Sequence, residues 1–243
     1  MSTKIPYINE AWNVCTGCAG KGCKAKETCW ARDMIKRFPA IHEPEQLEYP
    51  GLGIPFDRVQ FHPDRLDKPL HWKKPRRIGV CFLGDLFDEQ VPHEWRLRLF
   101  ENMPSRHQYF FLTKQPQNLR EFLQLCEDYD PSEWPNVWWG VSICDQEDWD
   151  TKYKDFLGIP GRKWISYEPA LSRVWFGQNL YQYDWLVCGA ESGPKRRPCD
   201  PQWMIDVVRQ CKEAGVPVYV KAVSLNGKVT QDITKFPKEL QLR

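Results

Sequence analysis

The sequence predicts an α/β protein of the (β/α)8 TIM-barrel type, complete or in a partial six-stranded form, with a cysteine-rich loop after the first strand. Three observations predict it. Eight short runs rich in β-branched and aromatic residues recur along the chain, and amphipathic helical patterns lie between several of them. The 243 residues match the ~250 that such a barrel typically needs.

Taken in order, the first strand is AWNVC (11–15) and the second is the short RVQFH (58–62). RIGVCFLG (77–84), QYFFLTK (108–114), NVWWGVSI (136–143), KWISYEP (163–169), DWLVCGAES (184–192) and VPVYVKAV (216–223) follow. Each is nearly continuously apolar, as strands buried on both faces are. A helix begins near Glu27 or Thr28. A second, over 92–103, sets Trp95, Leu97, Leu99 and Phe100 at mostly helical spacing behind a proline start. The stretch 116–129 aligns Leu119, Phe122, Leu123 and Cys126, and 201–215 aligns Trp203, Ile205, Val207, Val208 and Cys211 before stopping at Gly215. ALSRVWFGQ, in the sixth unit, is a poor helix. No linker, repeat or low-complexity tract interrupts the pattern, so 1–243 reads as a single domain.

Composition narrows the function classes. A net charge of +2 supplies no global pull toward nucleic acid, so an anion site must be a local patch. No apolar run approaches the roughly 18–20 residues that span a bilayer, and the N-terminus lacks the apolar core of a secretory signal. These features predict no membrane association and a reducing, cytoplasmic setting. Of ten cysteines, Cys15, Cys18, Cys23 and Cys29 fall close together, while the remaining six are scattered singly and read as small core residues.

In a barrel the chemistry sits at the C-terminal strand ends. The polar residues there are His62, Asp64 and Arg65; Asp85 and Asp88; Thr113 and Lys114; Ser142; Ser166 and Glu168; Glu191 and Ser192; and Lys221. Of the two basic runs, KKPRR (73–77) precedes a strand and lies at the opposite end. PKRRP (194–198) follows one on the catalytic side, where Lys195, Arg196 and Arg197 can grip phosphates of a nucleotide or nucleic acid.

The cysteine segment, WNVCTGCAGKGCKAKETCWARDMIKRF, is rich in glycine, which lets a backbone fold tightly around an ion or cluster. Thiolates select zinc or iron–sulfur clusters over hard cations. Two CxxC-like knuckles would indicate zinc, and only Cys15 and Cys18 form one. Three thiolates on a [4Fe–4S] cluster leave one iron open, whereas four close it. Whether Cys15 is a ligand therefore separates a reactive centre from a closed, non-catalytic four-Cys zinc or iron–sulfur module. A third reading is a hydrolase or lyase using Glu168 and Glu191 as acid and base.

The strings WNVCTGC, CWARDMIKR, HPDRLDKPLHWKKPRRIGV, LGDLF, LTKQPQNL, WWGVSI, SYEPAL, CGAESGP and VYVKAV occur in this order. Together they resemble a phage-associated three-cysteine-motif family, a domain of unknown function that is itself similar to the radical S-adenosylmethionine (SAM) enzymes. The resemblance implies a [4Fe–4S] cluster on Cys18, Cys23 and Cys29, with SAM on the open iron. It further implies reductive cleavage of SAM to a 5′-deoxyadenosyl radical that abstracts hydrogen from a substrate. Carried onto this chain, Trp30, with Trp138, Trp139 and Tyr167, would shield the cluster or stack on adenine. Asp85, Glu168 and Glu191 would bind ribose hydroxyls and the methionyl ammonium, with Ser142 and Ser166 in the same cofactor-binding set, and Lys114 or Lys221 would take the methionyl carboxylate. Lys114, Glu168, Glu191 and Lys221 form the expected catalytic set. The implied partners are a one-electron reductant of flavodoxin or ferredoxin type and a nucleotide or modified phage-DNA base as substrate. The implied setting is the host cytoplasm for a phage-encoded chain.

Overall fold

A computed structural model describes residues 3, 5–43, 53–126, 130 and 134–242. By packing, the chain divides into two compact units, Met1–Trp139 and Gly140–Arg243. No helix among the described residues is long and apolar enough to cross a membrane.

The first unit contains β1 (Glu10–Trp12), β2 (Cys15–Thr16), α1 (Trp30–Arg37), β3 (Gln60–Phe61), α2 (Lys68–His71), β4 (Arg77–Val80), α3 (His93–Phe100), β5 (Gln108–Phe110) and α4 (Pro116–Leu125). It ends within β6 (Val137–Ser142). Strands β1, β4, β5 and β6 are parallel, with Ala11 opposite Gly79, Ile78 opposite Tyr109 and Phe110 opposite Trp138. Trp12, Phe87, Phe111, Phe122 and Trp139 are fully buried. The Phe111 and Trp139 rings lie 4.8 Å apart and tilted, an arrangement that adds quadrupole attraction to area burial.

Helix α3 faces the core differently from its apolar pattern. Leu99 is buried, but Leu97 is exposed and Arg96 turns inward. The Arg96 guanidinium lies over the Phe87 and Phe122 rings and donates to the Leu86 and Asp88 carbonyls, which offsets its desolvation. Helix α4 carries Leu119, Phe122 and Leu123 inward as predicted, and the tail of that prediction at 127–129 lies outside the described residues.

The second unit continues β6 and adds α5 (Gln146–Leu157), β7 (Arg162–Tyr167), β8 (Trp185–Gly189), α6 (Pro201–Ala214), β9 (Val218–Leu225) and β10 (Lys228–Thr230). Strands β7, β8 and β9 are parallel. Helix α6 buries Val207, Val208 and Cys211 and stops at Gly215 in the left-handed conformation, φ +71°, as the sequence predicted, but it buries Met204 and leaves the predicted Trp203 and Ile205 half-buried. Strand β10 was not predicted. It returns antiparallel along β9 through Asn226 and Gly227, both at positive φ, a pairing that two-residue hairpins favour.

The predicted (β/α)8 barrel is overturned. Among the described residues the strand order is β1-β4-β5-β6-β7-β8-β9-β10, beginning at β1 and ending at an antiparallel strand, so the sheet is mixed and does not repeat eight parallel β/α units. The physical reason lies in the second predicted unit. RVQFH contributes only the two residues of β3, which pair antiparallel with β2 in a separate small sheet. There Phe61 stacks on Trp95 of α3 instead of extending the parallel ladder.

Candidate functional site

Strand-end polar residues gather into clusters within each unit. In the first unit the cluster is built on the loop after β2. The backbone reverses at Gly17, Gly20 and Gly22, with φ of +83°, +67° and +65°, where an L side chain is strained. Gly17 N–H donates to the Leu83 carbonyl at 2.9 Å, and Gly17 bridges to Gly84 in parallel. The approach is so close that a Cβ on Gly84 would stand 2.4 Å from the Gly17 carbonyl oxygen. Asp88 adds a second fastening, its Oδ2 accepting from Ala19 N–H at 2.9 Å. The loop is thereby pinned to the segment that leaves the C-terminal end of β4.

Within that loop the four thiols separate. Cys15 is fully buried in β2, and its N–H donates to Cys81 Sγ at 3.3 Å. The Cys81 side chain and burial hold its thiol well above the ordinary range. Cys18, Cys23 and Cys29 are only partly buried. None of the three thiols takes part in a side-chain hydrogen bond among the described residues. Cys18 and Cys29 both pack against the small apolar cluster of Ala31, Ile35, Phe56 and Leu83. Cys29 is the residue that caps α1, with no side-chain cap bond, and Trp30 beside it is 45% exposed. Burial pushes the Cys18 thiol up to about 12, Asp85 adds to the rise, and the Lys114 ammonium opposes it.

The donor set bears on what this loop can hold. Among the described residues no three His, Cys, Asp or Glu side chains gather as the ligands of a single metal ion would. A tetrahedral zinc site, with its donors ~2.0–2.3 Å from one point, is therefore not preformed. Thiolates on separate irons of a polynuclear cluster stand farther apart than the donors to one ion, so this bears on a single ion alone.

Asp85 and Lys114 act on the loop's surroundings. Asp85 Oδ1 accepts from Phe87 N–H at 3.0 Å, and Oδ2 accepts from Thr113 Oγ1 at 3.0 Å and from Lys114 N–H at 2.9 Å. Both oxygens are thus engaged, Oδ2 joining the ends of β4 and β5 and Oδ1 closing a turn on its own loop, and burial raises the carboxyl's pKa. A buried relay lies on the other side of β2. His42 Nε2 lies 3.1 Å from the Pro55 carbonyl, so it carries the proton and His42 Nδ1 accepts from the Thr16 hydroxyl at 2.7 Å. Thr16 then accepts from His62 Nε2–H at 2.8 Å, which leaves the buried His62 Nδ1 as an acceptor with no hydrogen-bond partner among the described residues.

In the second unit Glu168 is the centre of one group. Lys221 Nζ meets Glu168 Oε1 at 2.8 Å, Ser166 Oγ donates to Oε2 at 3.3 Å, and Ser142 Oγ donates to the Glu168 carbonyl at 3.2 Å. Gly189 makes room for it, since a Cβ there would lie 2.7 Å from Glu168 Oε1. Glu191 has a different partner. Its Oε2 accepts from Arg197 N–H at 2.7 Å and Nε at 2.9 Å, and its Oε1 from Nη2 at 2.5 Å. Arg196 points elsewhere, donating to the Gly193 carbonyl at 3.1 Å and the Gly227 carbonyl at 3.0 Å.

The predicted residues thus fall into three outcomes. Cys18, Cys29, Asp85 and Lys114 come into one neighbourhood, with Cys23 on the same loop. Ser142, Ser166, Glu168 and Lys221 come into another. Glu191 and Arg197 satisfy each other, and Lys195 is exposed. Trp139 and Tyr167 are fully buried. In the KKPRR run, Arg76 pairs with Glu10 on β1 and lies over Trp72. Sequence reasoning missed Gly84, Arg96, Asn226 and Lys228. The Asn-Gly dipeptide in SLNGKVT was the available signal for the last two.

A family model described as "Protein of unknown function (DUF5131)" matches residues 2–239. No curated protein and no solved structure matches the chain.

Proposed function

The chain belongs to that DUF5131 family of unknown function, and we propose that it is an iron–sulfur enzyme of the radical SAM type with a nucleotide-linked substrate. One observation carries the reading. Three partly exposed thiols, Cys18, Cys23 and Cys29, share a pinned glycine loop, while the fourth, Cys15, is turned into the core against Cys81. Three thiolates leave one iron of a [4Fe–4S] cluster open to a small-molecule ligand. When bound, such a cluster supplies one-electron cleavage of SAM to a 5′-deoxyadenosyl radical, using an electron from a flavodoxin- or ferredoxin-type donor.

The chain's own residues have separable tasks. Gly17 and Gly84 set where the loop lies, and Asp88 holds it at Ala19. Lys114 favours the thiolate form of Cys18 by its positive charge, against burial and the nearby carboxylates. Asp85 is a positioning residue, because its Oδ2 holds Thr113 and the Lys114 backbone while Oδ1 is fixed by Phe87 N–H. Trp30 offers an exposed aromatic face beside Cys29 to cover the bound group from water.

Anaerobic reconstitution with iron and sulfide tests the reading. The expected product binds ~4 irons per chain, has a spectrum perturbed by SAM, and releases 5′-deoxyadenosine under reductant. A colourless chain holding one zinc overturns it.

A further inference from the structure

The second unit carries a basic surface for which the cysteine loop has no use. Two hollows, of about 510 and 610 Å³, both have Arg196 in their walls. The first is bounded also by Pro198 and Asn226, the second by Ser192 and Lys228. Both are shallow and open to solvent, so a ligand there would lie along the surface.

Three features make this a place for anions. Arg196 is held by the Gly193 and Gly227 carbonyls, so its guanidinium is fixed before any ligand arrives and keeps three of its five N–H donors. Lys195, Arg196 and Lys228 have no carboxylate partner among the described residues, whereas the nearby acids are engaged. Glu191 holds Arg197, Asp200 caps α6, and Asp232 pairs with Lys235. On a chain whose net charge is only +2, three uncompensated cations on two adjoining loops are a local concentration of charge. The hairpin turn at Asn226–Gly227 supplies one wall and holds the arginine, so the site depends on a strand the sequence did not reveal.

We infer that this surface binds the phosphodiester backbone of a single-stranded nucleic acid, with one phosphate on Arg196 and the flanking nucleotides in the two hollows. Two adjoining hollows divided by one cation suit an extended chain better than a compact mononucleotide. Among the described residues no Trp, Tyr or Phe lines either hollow, so phosphate contacts dominate and sequence preference is weak. The inference deepens the nucleotide-linked substrate of the proposed function, yet it draws on none of the cysteines.

Fluorescence anisotropy with a labelled oligothymidylate, over a salt series, tests it on the full chain. Three phosphate contacts give a log–log salt slope near about −2 for a single strand, and each cation removed lowers it by about 0.7. Lys228→Ala and Lys195→Ala, both at exposed positions, are expected to weaken binding several-fold, and Lys228→Glu more strongly. Arg196→Lys, which keeps the charge but loses the fork, is expected to weaken binding with the salt slope retained. Lys36→Ala on α1 serves as the control and is expected to leave binding unchanged. Absence of salt-dependent binding, or wild-type affinity in the Lys195→Ala, Lys228→Glu double variant, overturns the inference. Cys29→Ser separates the two readings. Lost iron with retained oligonucleotide binding supports this site whatever becomes of the cluster. Retained iron in the wild type without oligonucleotide binding removes this site alone.

Discussion

At the scale of single residues, the informative contrast lies among thiols of the same segment. Cys15 sits in a two-residue strand with its side chain against Cys81, and Cys18 follows after a glycine at φ +83° that redirects the chain. Cys15→Ala is therefore expected to retain the iron bound on reconstitution and to cost roughly 1–2 kcal/mol of stability through lost packing, read by denaturant unfolding. Cys18→Ala, Cys23→Ala and Cys29→Ala are each expected to lose the iron with smaller effects on unfolding. Iron lost from Cys15→Ala at wild-type stability would restore the four-ligand alternative. Glu191 presents a second residue-level case. Because it accepts three bonds from Arg197, Glu191→Ala is expected to destabilise the chain by about 1–3 kcal/mol by leaving the arginine without its acceptor. An unchanged unfolding midpoint would remove it from the structural set.

Among the elements, the loop after β2 and the β9–β10 hairpin are both specified by glycines where backbones meet. Gly84→Ala places a methyl 2.4 Å from the Gly17 carbonyl oxygen, so the loop must shift from β4. Iron loading is expected to fall even though no thiol is altered, and unchanged loading in a folded Gly84→Ala protein would show that the pin is dispensable. On the hairpin, Gly227→Ala is expected to cost about 1–2 kcal/mol because φ is +74° there. Legibility differed between elements for physical reasons. Strands β4 to β9 and helices α4 and α6 were readable because burial on one or both faces writes a period into the sequence. Strand β3 was misread because RVQFH has strand composition while its two-residue pairing with β2 depends on contacts distant in sequence. Arg96 was hidden because a helical pattern of apolar residues says nothing of a cation that buries itself over aromatic rings.

For the whole molecule, two levels of charge organisation matter. One is the acid response of the folded state. His62 is buried beside Arg65 and His42, and burial first, then the Arg65 charge, lowers its pKa to about 3; burial lowers that of His42 as well. A depressed imidazole pKa contributes stability that is fully present above the unfolded value near ~6.5 and lost as pH falls toward about 3. Global stability is expected to drop by roughly 2 kcal/mol from this one group by pH ~5, with a shallower acid limb in His62→Gln. An identical pH dependence of the unfolding midpoint in the two proteins would contradict the buried, neutral assignment. The other level is the distribution of acids and bases. The sequence by itself determined the α/β composition, most strand and helix positions, and the nearness along the chain of four thiols on a glycine-rich segment, because period and local spacing are written residue by residue. Only the tertiary structure decided that the sheet ends in an antiparallel strand, that Cys15 belongs to the core, and that Glu191 is spent on Arg197 while Arg196 is held between two loop carbonyls. Those outcomes depend on which distant groups meet and satisfy one another's charge and hydrogen bonds, and no local pattern encodes that pairing.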